Sequence, residues 1–376
     1  MDAQATTEAL LLHFRSLADP RAANARHRLA DILTLAIFAV FCGAEGWTDV
    51  ELWGHFNHQW LSTFLDLPHG IPGHNTFERV FARLNPDQFE QSFVNFTAAL
   101  AQTSSGKLIA VDGKTLRGSF GHAWSRSPVH MVSAYAAENH LILGQKAARG
   151  KGRELQTIGE LLALLELKDT TVTIDALGCQ KEIAAQIRQQ KGHYVLALKD
   201  HQPILAAKVK TFLDEAILQG FADLPHGYVQ STEGDHGRLE TRRCWVCNQV
   251  QHLAGLEEWT DLAAVAVVEC TREVVGGKTS VDRRYFITSH PGNDAGLVAR
   301  AVRHHWRIES MHWVLDVALL EDKCRLRKDY GAENFSRLRR MAINKLKRET
   351  TYKVGIRSKQ KACGWSYDFL LKALLA

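Results

Sequence analysis

The sequence predicts an α/β core on a mixed sheet. An all-helical N-terminal domain precedes it, a β-rich insertion interrupts it, and a basic helical C-terminal segment follows. Three observations carry that reading. Helical periodicity fills the first hundred residues; from residue 107 hairpin-type strands give way to strand–helix units; and residues 226–290 alternate Val, Thr, Trp, Tyr and Cys as half-buried strands do.

The helical region comes first. Apolar spacing marks helices in "TTEALLLHFRSL", in "LADILTLAIFAVFCGA" (29–44) and in "TDVELWGHFNHQWLSTFL" (48–65). The second of these is too short to span a bilayer and carries Asp31, so it reads as a buried helix. Residues 70–100 form two more helices, the second opening at Asn85-Pro86, a cap followed by a first-turn proline. The short turn between them allows a helix-turn-helix DNA reader, against the plainer reading of an ordinary helical pair. "AQTSSGK" (101–107) reads as the boundary.

The α/β core begins with a strand ending at Asp112. Residues 130–148 form a hairpin turning at Glu138-Asn139, and a helix covers Glu154 to Leu165. A second strand, 170–179, carries Asp175; a helix runs from Gln180 to Gln190, then strand 193–199 and the helix "PILAAKVKTFLDEAI". The β-rich insertion turns at Gly276-Gly277, and helical pattern resumes near Ala295. The expected division is therefore a helical domain over 1–103 and the first part of the core over 104–225. The insertion takes 226–292, the later helices 293–350, and a tail 351–376.

Composition excludes disorder: 45% of the 376 residues are hydrophobic and 23% charged. The N-terminus has no basic-then-apolar signal pattern, and seven cysteines without a disulfide framework suit a reducing cytoplasm. The formal net charge of +5 is unevenly distributed. Between Lys323 and Lys361 stand fourteen Lys or Arg against three acids, so the rest of the chain is acidic on balance. Such a segment points to a polyanion partner; the bland alternative is a solvated helix face. Leu338, Met341, Ile343 and Leu346 recur at helical spacing within it, which predicts a packed helix with one charged face presenting Arg337, Arg339 and Arg340.

The stretch "LIAVDGKTLRGSF" (108–120) ends a buried strand in a carboxylate and follows it with Lys114 and Arg117. Ligands of open α/β sheets gather outside strand ends, and a buried carboxylate must be paired, hydrogen-bonded or bound to a cation. One strand-end aspartate is more simply a turn former. Two, Asp112 and Asp175, make a hard-cation site for Mg²⁺ or Mn²⁺ an equal reading. Glu309, His312, Trp313 and Asp316 share one helix face, either as part of an ordinary amphipathic helix or aimed at the two aspartates.

These stretches resemble bacterial insertion-sequence transposases of the DDE type, in the H-repeat-associated class, whose catalytic domain has a ribonuclease-H-like fold. The resemblance runs from about Leu11 to Leu371. It rests on "LADILTLAIFAVFCGA", "PGHNTFERVFARL", "IAVDGKTLRGS", "VTIDALGCQKEIAAQI", "YVLALKDHQP", "HGRLETR" and "HWRIESMHWVLDV", in that order. It implies that Asp112, Asp175 and Glu309 are a catalytic, metal-binding triad, with the long gap before Glu309 housing the β-strand insertion. Two divalent ions, Mg²⁺ or Mn²⁺, would clamp the scissile phosphodiester, with water and then a freed 3′-hydroxyl as attacking groups.

The same resemblance implies double-stranded DNA as partner, both terminal inverted repeats and target, a homodimer on DNA, and a bacterial nucleoid-associated location with no membrane and no organic cofactor. DNA contacts are expected from Lys114 and Arg117, from His236, Arg238 and Arg242 in the insertion, and from His305, Trp306, Arg307 and His312 around Glu309. For the insertion residues a polar hairpin with cross-strand ion pairs is an equal alternative. Relatives carry an arginine at the position of His305 and a lysine at that of Asp316, so those local contacts must be replaced or lost. A DNA-binding relic that no longer cuts, and a stand-alone nuclease of the same fold, are the competing functions. Cys244 and Cys247 have CxxC spacing without a second pair, so they read as strand interior.

Overall fold

The computed structural model describes residues 2–376 apart from 102–107, 121–126, 151, 236, 252 and 275, together with the side chains of all described residues except 101 and 235. The residues assigned to the domain boundary at 102–107 therefore lie outside the described residues. Nine strands form one sheet in the order β3-β2-β1-β4-β5-β9-β8-β7-β6. Strands β1 (Leu108–Thr115), β4 (Thr171–Ile174) and β5 (His193–Leu198) are parallel, while β2 (His130–Ala136) and β3 (Leu141–Ala148) complete an antiparallel meander on β1. This is the mixed sheet that the strand–helix rhythm predicts, and it is consistent with the ribonuclease-H-like fold that the resemblance implies. The insertion, β6 (His226–Asp235), β7 (Arg238–Cys247), β8 (Ala264–Val274) and β9 (Thr279–Thr288), does not form a separate sheet. Its last strand pairs antiparallel with β5 and extends the core sheet.

Strand burial follows from composition. β1 opens with four buried apolar residues and β4 is buried throughout, as strands covered on both faces must be. One face is covered by α7 (Glu154–Leu162), α8 (Lys181–Gln189) and α9 (Pro203–Leu218), whose Ile158, Ile183 and Val209 share a core with Val111, Val172 and Leu196. The other face carries α10 (Ala295–His305) beneath β5 and the insertion, with Val298 and Val302 packed on Val195 and Phe286. Next to it lies α11 (Arg307–Val317), separated from α10 by Trp306 alone.

The N-terminal helices are α1 (Ala3–Leu12), α2 (Leu29–Phe41), α3 (Trp47–Phe56), α4 (His58–Leu61), α5 (His74–Arg83) and α6 (Pro86–Ala101). Asn85 caps α6 as its position before Pro86 predicts, accepting from the backbone N–H groups of Asp87 and Gln88. These helices do not stand as a module of their own. They share one core with α11, with α12 (Gly331–Arg348), α13 (Ile356–Trp365) and α14 (Tyr367–Leu375), and with Ala110, Tyr135 and Ile142 of the sheet.

Helix α12 sits at the centre of that layer and is buried on every side from Gly331 to Leu346. The expectation of one solvated charged face is corrected here. Arg337 donates to Glu90 at 2.7 Å and Arg340 to Glu321 at 2.7 Å, while Arg339 donates to the carbonyls of Leu319 and Glu45 and lies over the Phe335 ring. Buried cations require such partners, and the helix finds them on α6 and on the segment after α11.

Candidate active site

The register of the parallel pair decides the site. Val111 stands opposite Ile174, so Asp112 and Asp175 are the next residues on adjacent strands. Parallel neighbours lie about 4.8 Å apart, which places the two carboxylates side by side at the carboxyl end of the sheet. Asp175 also forms the turn after β4, its Oδ1 accepting from the N–H groups of Leu177 and Gly178. The turn-former reading thus holds for that residue.

Helix α11 brings the third acid. Asp112, Asp175 and Glu309 line one open cavity of about 990 Å³, with Lys199, Arg284, His305 and Trp306 on its walls. Burial pushes the Asp112 carboxyl up to about 6, and the charges of Asp175, Glu309 and Glu154 add to that while the Gly113 N–H opposes it. Oxygen donors that repel one another at the end of a sheet suit a hard divalent cation in chemistry and charge. Among the described residues no three His, Cys, Asp or Glu side chains converge on one point as ligands; the three acids line the cavity walls.

A family model described as a transposase DDE domain matches residues 103–345, and one described as DDE_Tnp_1-associated matches residues 11–97. The chain belongs to the DDE transposase family. A putative transposase YncI of Escherichia coli O157:H7 is 38% identical over 340 residues, covering 89% of this chain and 86% of the relative. The H repeat-associated putative transposase YhhI and the putative protein YbfL, both of Escherichia coli strain K12, are each 34% identical over 371 residues, covering 97% of both chains in each case. The family is thus its H-repeat-associated class, as the quoted stretches imply. DDE transposases act on DNA and in general use divalent metal ions.

Within this DDE transposase, several expected DNA contacts are corrected. Lys114 is buried: its ammonium lies 2.7 Å from Asp316 and 2.9 Å from Asp322, with Glu321 at 3.7 Å. Arg337, Arg339 and Arg340 are enclosed in the helical core. His312 is buried too, 3.6 Å from the Asp112 carboxylate, and burial pulls its imidazole down to about 3. Arg242 is held by Glu233 and Glu240, with Arg272 on the other side of Glu240, which is the cross-strand ion-pair reading. His236 lies outside the described residues.

Other expected residues are exposed or partly exposed. The Arg117 side chain is 84% exposed, with its guanidinium 3.5 Å from Asp322. Arg238 is exposed at the end of the β6–β7 ladder. His305 reaches Thr173 at 3.1 Å beside Asp175, and burial lowers its imidazole. Trp306 is partly exposed with the Arg284 guanidinium 4.4 Å above its ring, so it braces the helix junction as well as facing the cavity. Arg307 donates to the Ala137 carbonyl.

Sequence reasoning missed several cavity residues, Lys199 and Arg284 among them. Lys199 follows the end of β5 as Asp175 follows the end of β4, a signal that was present. The strand expected to end at Asp112 instead runs on to Thr115, because β2 pairs with it from Ile109 to Thr115. Arg284 lies in "RRYFITS", and only the pairing of β9 with β5 reveals that it faces the site. Cys244 and Cys247 are buried in β7, as their spacing without a second pair predicts, and all seven cysteines are free. Among the described residues no helix is long and apolar enough to cross a membrane.

Proposed function

We propose that this chain is an insertion-sequence transposase that binds the ends of its element, cleaves them and joins them to target DNA. The observation that carries this reading is the adjacent register of Asp112 and Asp175, with Glu309 on the same cavity. Asp112, Asp175 and Glu309 hold the divalent ions, two of Mg²⁺ or Mn²⁺. Bound there, the ions supply Lewis-acid polarisation of the phosphodiester and lower the pKa of attacking water.

The remaining work belongs to the chain. The cavity walls carry Lys199 and Arg284, cations placed to meet the phosphate oxygens as charge develops on them. In the first step water attacks phosphorus and the bond to the 3′ oxygen breaks, leaving a 3′-hydroxyl. In the second, that hydroxyl attacks a target phosphodiester in the same pocket, forming one ester as another is lost. The acting unit is a homodimer, which holds two element ends together.

The test is a donor plasmid carrying a marker between the DNA segments that flank this gene. It is incubated with the full chain and Mg²⁺ or Mn²⁺, with Asp112→Asn and Glu309→Gln in parallel. Cuts at the ends that vanish in both variants support the reading. A band shift on those ends without cutting replaces it with an end-binding protein, and cutting without end preference with a nuclease.

A further inference from the structure

Three separate features meet at Lys114. The first is spacing. Asp112 and Lys114 are two residues apart on β1 and so project from the same face of the sheet. Glu309 and Asp316 are seven residues apart on α11 and share one stripe of that helix, with His312 between them. The second is contact. Lys114 meets Asp316 at 2.7 Å, and His312 stands 3.6 Å from Asp112, so the strand and the helix touch at two successive points.

The third feature is the backbone that closes over the ammonium. Leu320 turns through φ +51, a left-handed conformation unusual for a branched residue, and sends Glu321–Lys323 back toward β1. There the turn at Arg117–Ser119 packs so tightly that a Cβ on Gly118 would stand 2.2 Å from the Cys324 carbonyl oxygen. The result is Asp322 at 2.9 Å from Lys114, with the buried Glu321 shared between Lys114 and Arg340.

We infer that Lys114 is a positioning residue for the transposase reaction: its buried ammonium latches the strand of Asp112 to the helix of Glu309, through Asp316, and so sets the separation of the two carboxylates. This rests on the proposed role of those acids in holding divalent ions. It also accounts for an aspartate at position 316, since a lysine there would set a second ammonium against that of Lys114. Lys114 is buried, so drawing Asp316 away from it removes one of the charges that compensate a desolvated ammonium.

The decisive variant is Lys114→Met, because positioning and simple electrostatics predict opposite signs. Removing a cation beside a cation site strengthens metal binding if charge alone matters. Loss of the latch weakens it. The probe is Mn²⁺ alone, its free fraction read by electron paramagnetic resonance on the full chain, with Asp112→Asn defining uptake at this site. Lys114→Met is expected to weaken Asp112-dependent Mn²⁺ uptake about tenfold and to slow single-turnover cleavage about 100-fold. Its band-shift affinity for the element ends and the salt dependence of that affinity stay as in wild type. Lys114→Arg, which keeps the charge, recovers part of both losses, and adding Asp316→Asn to Lys114→Met costs nothing more.

Equal or tighter Mn²⁺ uptake in Lys114→Met overturns the latch, and so does a reduced salt slope with normal cleavage of bound DNA, which would make Lys114 a phosphate contact. Wild type without Asp112-dependent uptake overturns the functional reading and the latch together. If Lys114→Met does not fold, Asp316→Asn and Asp322→Asn are compared. Both remove one negative charge from the same ammonium, but only Asp316 lies on the Glu309 helix. Loss of uptake at Asp316→Asn alone supports the latch, and equal effects overturn it.

Discussion

The Arg337 guanidinium donates to the Glu90 carboxylate at 2.7 Å, and both side chains are 1% exposed. The second Glu90 oxygen accepts from the Gln145 backbone, so one carboxylate ties α6, α12 and β3 together. Breaking such a pair leaves a buried charge without compensation. Arg337→Met is therefore expected to destabilise the chain by about 3–5 kcal/mol, read from the midpoint of denaturant unfolding. The double variant Glu90→Gln/Arg337→Met should recover part of that loss, since it removes both charges. An Arg337 that only contacted DNA would leave the unfolding midpoint unchanged.

That pair also shows where sequence reasoning stops. The strands were legible because β1 opens on a short apolar run and β4 is one, each followed by an aspartate, and because helical patterns demand parallel crossovers; the run of β1 past Asp112 to Thr115 was not, since it depends on pairing with β2. The helices at Pro86 and Ala295 were legible from a cap and from returning periodicity. The fate of the basic segment was not. Its arginines find their acids through the tertiary fold, Arg337 and Glu90 being 247 residues apart, and charge summed along the chain carries no trace of such pairs. Lys114 fails in the same way. Next to Asp112 in sequence it reads as a phosphate contact, and only the return of the chain at Leu320 shows that it faces inward. The N-terminal helices, too, read as a separate module because local periodicity cannot say that α12 will complete their core.

Asp31 supplies a pH test away from the site. It lies in the first turn of α2, 6% exposed, and burial pushes its carboxyl up to about 6, with Arg28 opposing and Asp66 adding. The folded chain then holds this proton more tightly than the unfolded chain, whose aspartate titrates near the ordinary 3.8. The sign follows: stability from this group is full below about pH 4 and falls as pH rises through 6. Asp31→Asn should raise stability by about 1–3 kcal/mol at pH 7 and by nothing at pH 4. Unfolding curves at the two pH values measure the difference, and an equal effect at both would locate the gain elsewhere.

Two glycines separate close approach from mere flexibility. At Gly118 an added Cβ meets the backbone oxygens of Cys324 and Asp322, neither of which can swing aside. At Gly331, the first residue of α12, it meets nothing within 4 Å. Gly118→Ala is expected to cost about 1–3 kcal/mol through overpacking. Gly331→Ala should be neutral or stabilising by up to about 1 kcal/mol, because it restricts the unfolded chain. Melting temperatures of the two variants side by side give the answer, and a harmless Gly118→Ala would show that the two turns can part.

Part of the basic segment's exposed charge lies just before α12, and the rest, Lys353, Arg357 and Lys361, after it. Lys323, Arg325, Arg327 and Lys328 are exposed, and Arg327 donates to the Gly118 carbonyl, which sets this segment beside the exposed Arg117 at the carboxyl end of β1. That is the end of the sheet at which Asp112 and Asp175 stand, which makes these cations the first to test as contacts of the proposed DNA substrate. Each phosphate neutralised by a cation contributes a slope of about −0.9 to log affinity against log salt for duplex DNA. Replacing Arg325, Arg327 and Lys328 by glutamine should therefore flatten the salt dependence of end binding by up to about 3, while the unfolding midpoint stays within about 0.5 kcal/mol of wild type. The same replacement at Arg337, Arg339 and Arg340 should do the reverse, removing stability through the buried pairs of α12. Band shifts across a salt series, run with denaturant unfolding of both triple variants, separate the two roles. If the surface triple leaves the slope untouched, DNA approaches the acids from the insertion side instead, past Arg284 and Arg238.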